Sequence, residues 1–146
     1  MNRLFFEKLQ PGCYDILHVA LEAAQLPTDD LLEPGRAFFG FSDERRPLGY
    51  IGLEGHGPDQ LVRSLVVLPS RRCQGYGTSL LNHLETWASD AVERFHLLTT
   101  TAAAFFAARG YGVAFRSTAP CAIATPAEFT RLCPASATYM TKSLIA

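Results

Sequence analysis

The sequence has little charge, and no part of it gathers charge of one sign. Only 18% of the 146 residues are Asp, Glu, Lys or Arg, the formal net charge is -1, and basic residues cluster no further than short doublets. A general nucleic-acid binder carries a basic tract or patch, so that class is excluded. A hydrophobic share of 48% excludes a disordered chain in the same way. Long apolar runs are also missing. Nothing approaches the roughly 20 apolar residues of a membrane helix, and the opening MNRLFFEKLQ meets Glu7 and Lys8 before a secretory apolar region can form. The expectation is a soluble cytoplasmic protein with one domain over residues 1–146. The four cysteines, Cys13, Cys73, Cys121 and Cys133, make no CxxC pair and no zinc-like cluster with histidine. In a reducing compartment they are free thiols, and no metal is expected.

Turn chemistry divides what is there. Residues 3–8 predict a first short strand. Tyr14, Leu17, Leu21 and Ala24 share one face of a helix over 14–24, with Pro11 and Gly12 before it and Pro27 after it. Thr28-Asp29-Asp30 predicts the cap of another short helical turn. Three apolar segments at 36–42, 48–54 and 61–68 are separated by polar or glycine-rich turns and predict an antiparallel meander. Leu80, Leu84, Trp87 and Ala91 predict an amphipathic helix from Thr78 to about Glu93. A buried strand at 95–99 comes next, then a helix at 102–109 closed by Gly110, and strand-like residues at 111–116. A capping box at 125–128 opens a short helix to Leu132, and a strand over 137–145 closes the chain. The order predicts a mixed α/β fold.

RRCQGYG, residues 71–77, lies between the strongest strand and the long helix. A helix start leaves backbone N–H groups unpaired and carries partial positive charge. Glycines at 75 and 77 let a ligand approach the backbone, and Arg71 and Arg72 add charge. These features predict a phosphate or pyrophosphate site. The dinucleotide fingerprint fails because Leu80 stands at the third glycine's place, and the P-loop fails for want of its lysine. What fits is R-x-x-G-x-G, Arg72 to Gly77, after a strand ending V-x-P at 67–69.

That pattern resembles motif A of the GNAT superfamily of acetyl-CoA-dependent N-acetyltransferases. The resemblance implies a mostly antiparallel sheet, splayed at the coenzyme site and flanked by helices. It implies acetyl-CoA as cosubstrate, with loop donors at Arg72, Cys73, Gln74, Gly75, Tyr76, Gly77 and Thr78. Strand contacts to the pantetheine arm fall at Val66, Val67 and Leu68. The run 99–111, TTTAAAFFAARGY, is similar to the helix that follows in that family, with two departures. Thr99 stands for an asparagine, and Phe106 for the tyrosine that often protonates the leaving thiolate. LLTTTAAAFFAARGY, APCAIATPAEFTRLCPASATYM, GLE and LVRSLVV further resemble the GNAT branch associated with arsenic-resistance operons, which adds metalloid resistance as a setting.

Acetyl transfer to an amine needs a deprotonated nucleophile, a polarised carbonyl and a proton for the thiolate. Backbone N–H groups at 66–68 can serve the carbonyl. Glu54, Ser64 and Cys133 are the catalytic candidates, with Glu54 as base and Cys133 near the thioester. The alternative for Glu54 is a solvated carboxylate. Arg63 and Ser64 are expected on opposite faces of their strand, Arg63 either binding a substrate carboxylate or pairing with Glu54. His56 is either a substrate contact or an exposed loop residue. Tyr111, Tyr139, Ser136, Cys133 or water could replace the missing tyrosine. Cys73 sits where a thiol pKa falls, although bound coenzyme would cover it. The expected function is direct acetyl transfer to a small amine or amino-acid-like molecule in a ternary complex. A non-catalytic acyl-CoA sensor and a thiol-based metalloid binder on the same scaffold are the alternatives. A small-molecule amine is the expected partner, nucleic acid and membrane are not, and a homodimer is compatible.

Overall fold

Among the described residues, the apolar segments of the meander form strands, and the 3.6-period runs at 14–24 and from 78 onward form helices. A computed structural model describes residues 3–44, 46–72, 74–124 and 137–145. In chain order the elements are β1 (Phe5–Lys8), α1 (Tyr14–Ala23), β2 (Arg36–Ser42), β3 (Pro47–Glu54), β4 (Asp59–Val67), α2 (Tyr76–Ala88), β5 (Arg94–Thr99), α3 (Ala103–Ala107), β6 (Gly112–Val113), α4 (Cys121–Ala124) and β7 (Thr138–Ser143). The strands join one sheet in the order β1-β2-β3-β4-β5-β7-β6. Every neighbouring pair is antiparallel except β4 and β5, which run parallel. This is the mixed, mostly antiparallel sheet that the sequence predicts.

Side chains alternate across a strand, and both faces of this sheet are covered. Phe39, Phe41, Ile51, Leu53, Val62, Phe95 and Leu97 meet Leu80, Leu81, Leu84 and Ala88 of α2. Phe38, Tyr50 and Val66 meet Leu17 and Leu21 of α1, together with Leu31. Double coverage explains why β3 is buried from Leu48 to Glu54 with no polar alternation.

Three expectations need correction. The long helix starts two residues earlier than predicted and ends at Ala88, so Ala91 lies beyond it. Its buried stripe takes Leu81 in place of Trp87, which is 53% exposed. No helix follows residues 28–30; residues 29–32 form turns. The Asp30 carboxylate is drawn inward to Arg36 and Arg63 and is not used as a cap. Of residues 111–116, Gly112 and Val113 pair with Thr141 and Met140 of β7, and the Ala114 N–H donates to the Tyr139 carbonyl at 3.0 Å, so the strand is shorter than expected. The helix expected at 125–132 lies outside the described residues. No described helix is long and apolar enough to cross a membrane.

Candidate active site

β4 and β5 are paired only at Asp59↔Arg94, Gln60↔Phe95 and Leu61↔His96. Beyond that register they part. The gap opens into a cavity of about 300 Å³, walled by Val62 to Leu65 on one side and by Leu97 to Ala102 with Phe106 on the other. Gln25, Leu26 and Pro27, from the turn after α1, close one end. Gln25 holds φ +60 there, outside the range most side chains adopt.

A bulge shapes the β4 wall. Tyr50 pairs with Val66 but Gly52 with Arg63, so β4 carries an extra residue. Ser64 absorbs it at φ +60. The bulge breaks the alternation that would put Arg63 and Ser64 on opposite faces. Both line the cavity, and Arg63 Nε donates to Ser64 Oγ at 3.2 Å. The expectation of opposite faces is therefore wrong, because it assumes an unbroken strand.

Arg63 is fully buried and held by two carboxylates. Its Nη1 reaches Asp30 Oδ2 at 2.5 Å and Glu54 Oε1 at 2.7 Å, and its Nη2 reaches Asp30 Oδ1 at 2.7 Å. Arg36 completes the cluster, 3.0 Å from Asp30 and 3.5 Å from Glu54. Two cations and two anions cancel, which makes burial tolerable where a lone charge would not be. Burial works to raise the Asp30 carboxyl, but the bonds and charges of Arg63 and Arg36 outweigh it and hold the group below the usual carboxylate range. Glu54 is thus a buried ion-pair partner and not a solvated hairpin end. Arg63 faces protein carboxylates, the pairing offered as the alternative to substrate binding.

The strand donors narrow to one. Leu68 N–H already donates to the Leu48 carbonyl at 2.9 Å, and Val66 stands opposite Tyr50 in the same ladder. Alternate residues of an antiparallel ladder turn their N–H groups to opposite sides. The Val67 N–H therefore points away from β3, to the side from which β5 has withdrawn. The expectation that 66–68 all serve the cleft overlooks this alternation.

At the outer end of β4 lies the glycine loop. Gly75 caps α2 at φ +81, and a Cβ placed on it would meet nothing within 4 Å. The first helical bond runs from Ser79 N–H to the Gly75 carbonyl, so the N–H groups of Tyr76, Gly77 and Thr78 face outward without helical acceptors. A Cβ on Gly77 would stand 3.3 Å from the Phe105 ring. Arg72 folds back to donate to the Val67 carbonyl at 3.2 Å, and Gln74 is exposed. Free amides, an open glycine face and an unpaired strand edge fit a pyrophosphate with a pantetheine arm. Cys73 lies outside the described residues, as do Cys133 and Ser136.

Other expected residues stand apart from the cavity. His56 is exposed in the β3–β4 hairpin, with its ring against Gly35. Tyr111 donates to Glu85 Oε2 at 2.9 Å, and burial first, then Glu85, pushes its phenol far up. The Tyr139 hydroxyl lies 2.7 Å from His96 Nδ1, and His96 Nε2 lies 2.7 Å from Asp59 Oδ1. Neither tyrosine lines the cavity. Phe106 does, stacked edge-on to Tyr111. A larger cavity of about 520 Å³ lies between α1 and the end of β4; its walls are mostly aliphatic and take in Val66, Leu68 and Arg72, three of the expected coenzyme residues. Sequence reasoning missed Asp30, Gln25 and the Thr99–Thr101 wall. The threonine run was visible, whereas Asp30 reaches Arg63 across 33 residues and left no local signal.

A mostly antiparallel sheet that parts at its parallel pair, with a helix N-terminus at the mouth, defines a mixed α/β fold with an anion-binding end. The Acetyltransferase (GNAT) domain model matches residues 34–113, and the chain belongs to that family. No curated protein matches it. Among solved structures, it is similar to N-acetylglutamate synthase from Neisseria gonorrhoeae in complex with coenzyme A and L-arginine. The TM-score is 0.80 at 17% identity, over 98% of this chain and 34% of the synthase, so the chain spans about a third of that protein's length. An aminoglycoside 6'-N-acetyltransferase in complex with coenzyme A aligns with TM-score 0.72 at 18% identity, covering 97% of this chain and 98% of its own. The ribosomal-protein-S18-alanine N-acetyltransferase from Escherichia coli aligns with TM-score 0.75 at 15% identity, covering 99% and 96%. At these identities the likeness concerns the fold.

Proposed function

We propose that this chain is an acetyl-CoA-dependent N-acetyltransferase that transfers acetyl directly to a small amine or amino-acid-like molecule in a ternary complex. The observation that carries this reading is the parting of β4 from β5 after Leu61↔His96, beside the open N-terminus of α2. The donor supplies a thioester. Its carbonyl would be polarised by the Val67 N–H, and its phosphates held by the amides of 76–78 with Arg72. The neutral amine attacks the carbonyl carbon, the C–S bond breaks, and the proton that the nitrogen loses balances the one that the thiolate takes up. Coenzyme-bound structures of similar fold, one an N-acetylglutamate synthase and one an aminoglycoside 6'-N-acetyltransferase, support the donor and the broad acceptor class.

Among the catalytic candidates, we assign the acceptor contact to Ser64. Its Oγ accepts from Arg63 and keeps a donor and a lone pair for the cavity. Glu54 would act on this site through Arg63, while Cys133 stays a candidate outside the described residues. Ser64→Gly tests the assignment, because glycine holds φ +60 without strain. Acetyl-CoA binding should persist while kcat/KM for the acceptor falls roughly tenfold, the loss of about one polar contact. Unchanged kcat/KM would remove Ser64.

One observation favours a second reading. Phe106 offers no hydroxyl where the family resemblance implies a proton donor, so a sensor that binds acyl-CoA without turnover is the alternative. A free-thiol release assay over a broad amine panel, including amino-bearing organoarsenicals for the metalloid setting, separates the two. Turnover on any amine supports the enzyme, and binding without turnover supports the sensor.

A further inference from the structure

Arg109 is held beside the glycine loop by neutral groups. Its Nε donates to Thr78 Oγ1, on the first turn of α2, at 2.8 Å, and its Nη1 donates to the Phe105 carbonyl at 2.7 Å. Its guanidinium carbon stands 3.8 Å from the centre of the Phe105 ring. That ring closes in turn on Gly77. Cation, ring and glycine stack against the open end of α2.

The arginines of this chain divide by partner: Arg72 and Arg94, like Arg109, bond to neutral groups, while three others meet carboxylates. Arg36 and Arg63 face Asp30 and Glu54, and Arg71 faces Asp43. Arg109 has no carboxylate partner among the described residues; its bonds go to a hydroxyl and a carbonyl. A guanidinium has five N–H donors. Two are engaged here, enough to fix its plane without cancelling its charge. A fixed positive charge beside the positive end of a helix is unfavourable alone and favourable once an anion joins them.

We infer that Arg109 is a ligand for a coenzyme phosphate, either the pyrophosphate or the ribose 3′-phosphate. This rests on the coenzyme reading of the α2 end and adds a residue from α3's C-terminal side to it. Phe105 then has a role as well: it sets the height of the guanidinium above Gly77, where an aliphatic residue would give no flat face to the cation.

Calorimetric titration of the wild type, Arg109→Ala, Arg109→Gln and Arg109→Lys with coenzyme A, 3′-dephospho-coenzyme A and pantetheine tests this. Arg109→Ala should weaken coenzyme A binding roughly tenfold, as for one lost charge-assisted bond, and leave pantetheine binding unchanged. Arg109→Lys should fall between, having charge without the planar fork. If Arg109→Ala does not fold, Arg109→Gln carries the same expectation. An equal loss with the dephospho compound assigns the pyrophosphate, and a loss confined to coenzyme A assigns the 3′-phosphate; both support the inference. Unchanged coenzyme A affinity, or proportional losses for coenzyme A and pantetheine, would overturn it. Failure of the wild type to bind coenzyme A would instead overturn the underlying reading of the loop.

Discussion

Gly75 and Gly77 lie two residues apart and do different work. Gly75 turns the chain at φ +81 and leaves open space before the helix. Gly77 admits the Phe105 ring at van der Waals range. Gly75→Ala should therefore strain the loop by about 1–2 kcal/mol and weaken acetyl-CoA binding. Gly77→Ala should weaken it by shifting Phe105, and with it Arg109. Calorimetric Kd values check both, and an unaltered Kd in either variant would contradict its assigned role. The glycine spacing was legible in the sequence because it stands between a strand ending V-x-P and a long helical run; the same spacing at Gly55 and Gly57 makes a hairpin. The left-handed backbone of Ser64 was not, since it arises from a register mismatch between β3 and β4 that neither strand reveals alone.

Among the elements, two buried polar clusters hold the sheet around the slot. Asp30, Arg63, Glu54 and Arg36 tie the loop after α1 to β2, β3 and β4. Asp30→Asn leaves buried positive charge without its counterpart. It should destabilise the fold by about 3–5 kcal/mol, the range for breaking a buried pair, as read from urea unfolding at pH 7. A loss below about 1 kcal/mol, the value of a surface pair, would contradict the account. Because the folded Asp30 titrates below its ordinary range, its contribution is present above the unfolded pKa and is lost as pH falls through the folded one.

The second cluster, Asp59, His96 and Tyr139, bridges β4, β5 and β7 across the short paired stretch that ends at Leu61↔His96, before the slot. Burial lowers the His96 pKa and Arg94 adds to this, against the opposing pull of Asp59. A lowered pKa favours the neutral ring in the fold, so stability should be full above the ordinary value of about 6.5 and fall as pH drops from there toward the folded pKa. Thermal unfolding of the wild type should show that decline as pH falls below about 6.5, and His96→Gln should flatten it. An identical slope in both proteins would remove His96 as its source. The strands themselves were readable from alternation and turns, and the three corrected elements show where that stops. Trp87 satisfies a helical spacing yet stays exposed, and Asp30 has a cap's chemistry but is taken by distant arginines. Both outcomes are set by tertiary packing, which overrides local preference.

For the whole molecule, the order of elements carries more than any single residue. Antiparallel meander, glycine loop, long helix, parallel strand and closing strand put the only parallel pair among the described strands where the sheet must part. The loop and the run at 99–111 pointed to the coenzyme from sequence. The acceptor stayed illegible: the cavity proposed for it is assembled from residues 25–27, 62–65, 97–102 and 106, and no one stretch contains that surface. The central claim is that the slot and the α2 end bind acetyl-CoA. Thermal unfolding with acetyl-CoA, with NADH and without ligand tests it most directly. At about a hundredfold over Kd the bound form gains about 2.7 kcal/mol, so the midpoint should rise by roughly 5–15 °C for a domain of this size. NADH should leave it in place. A midpoint that does not move at saturating acetyl-CoA would contradict the account.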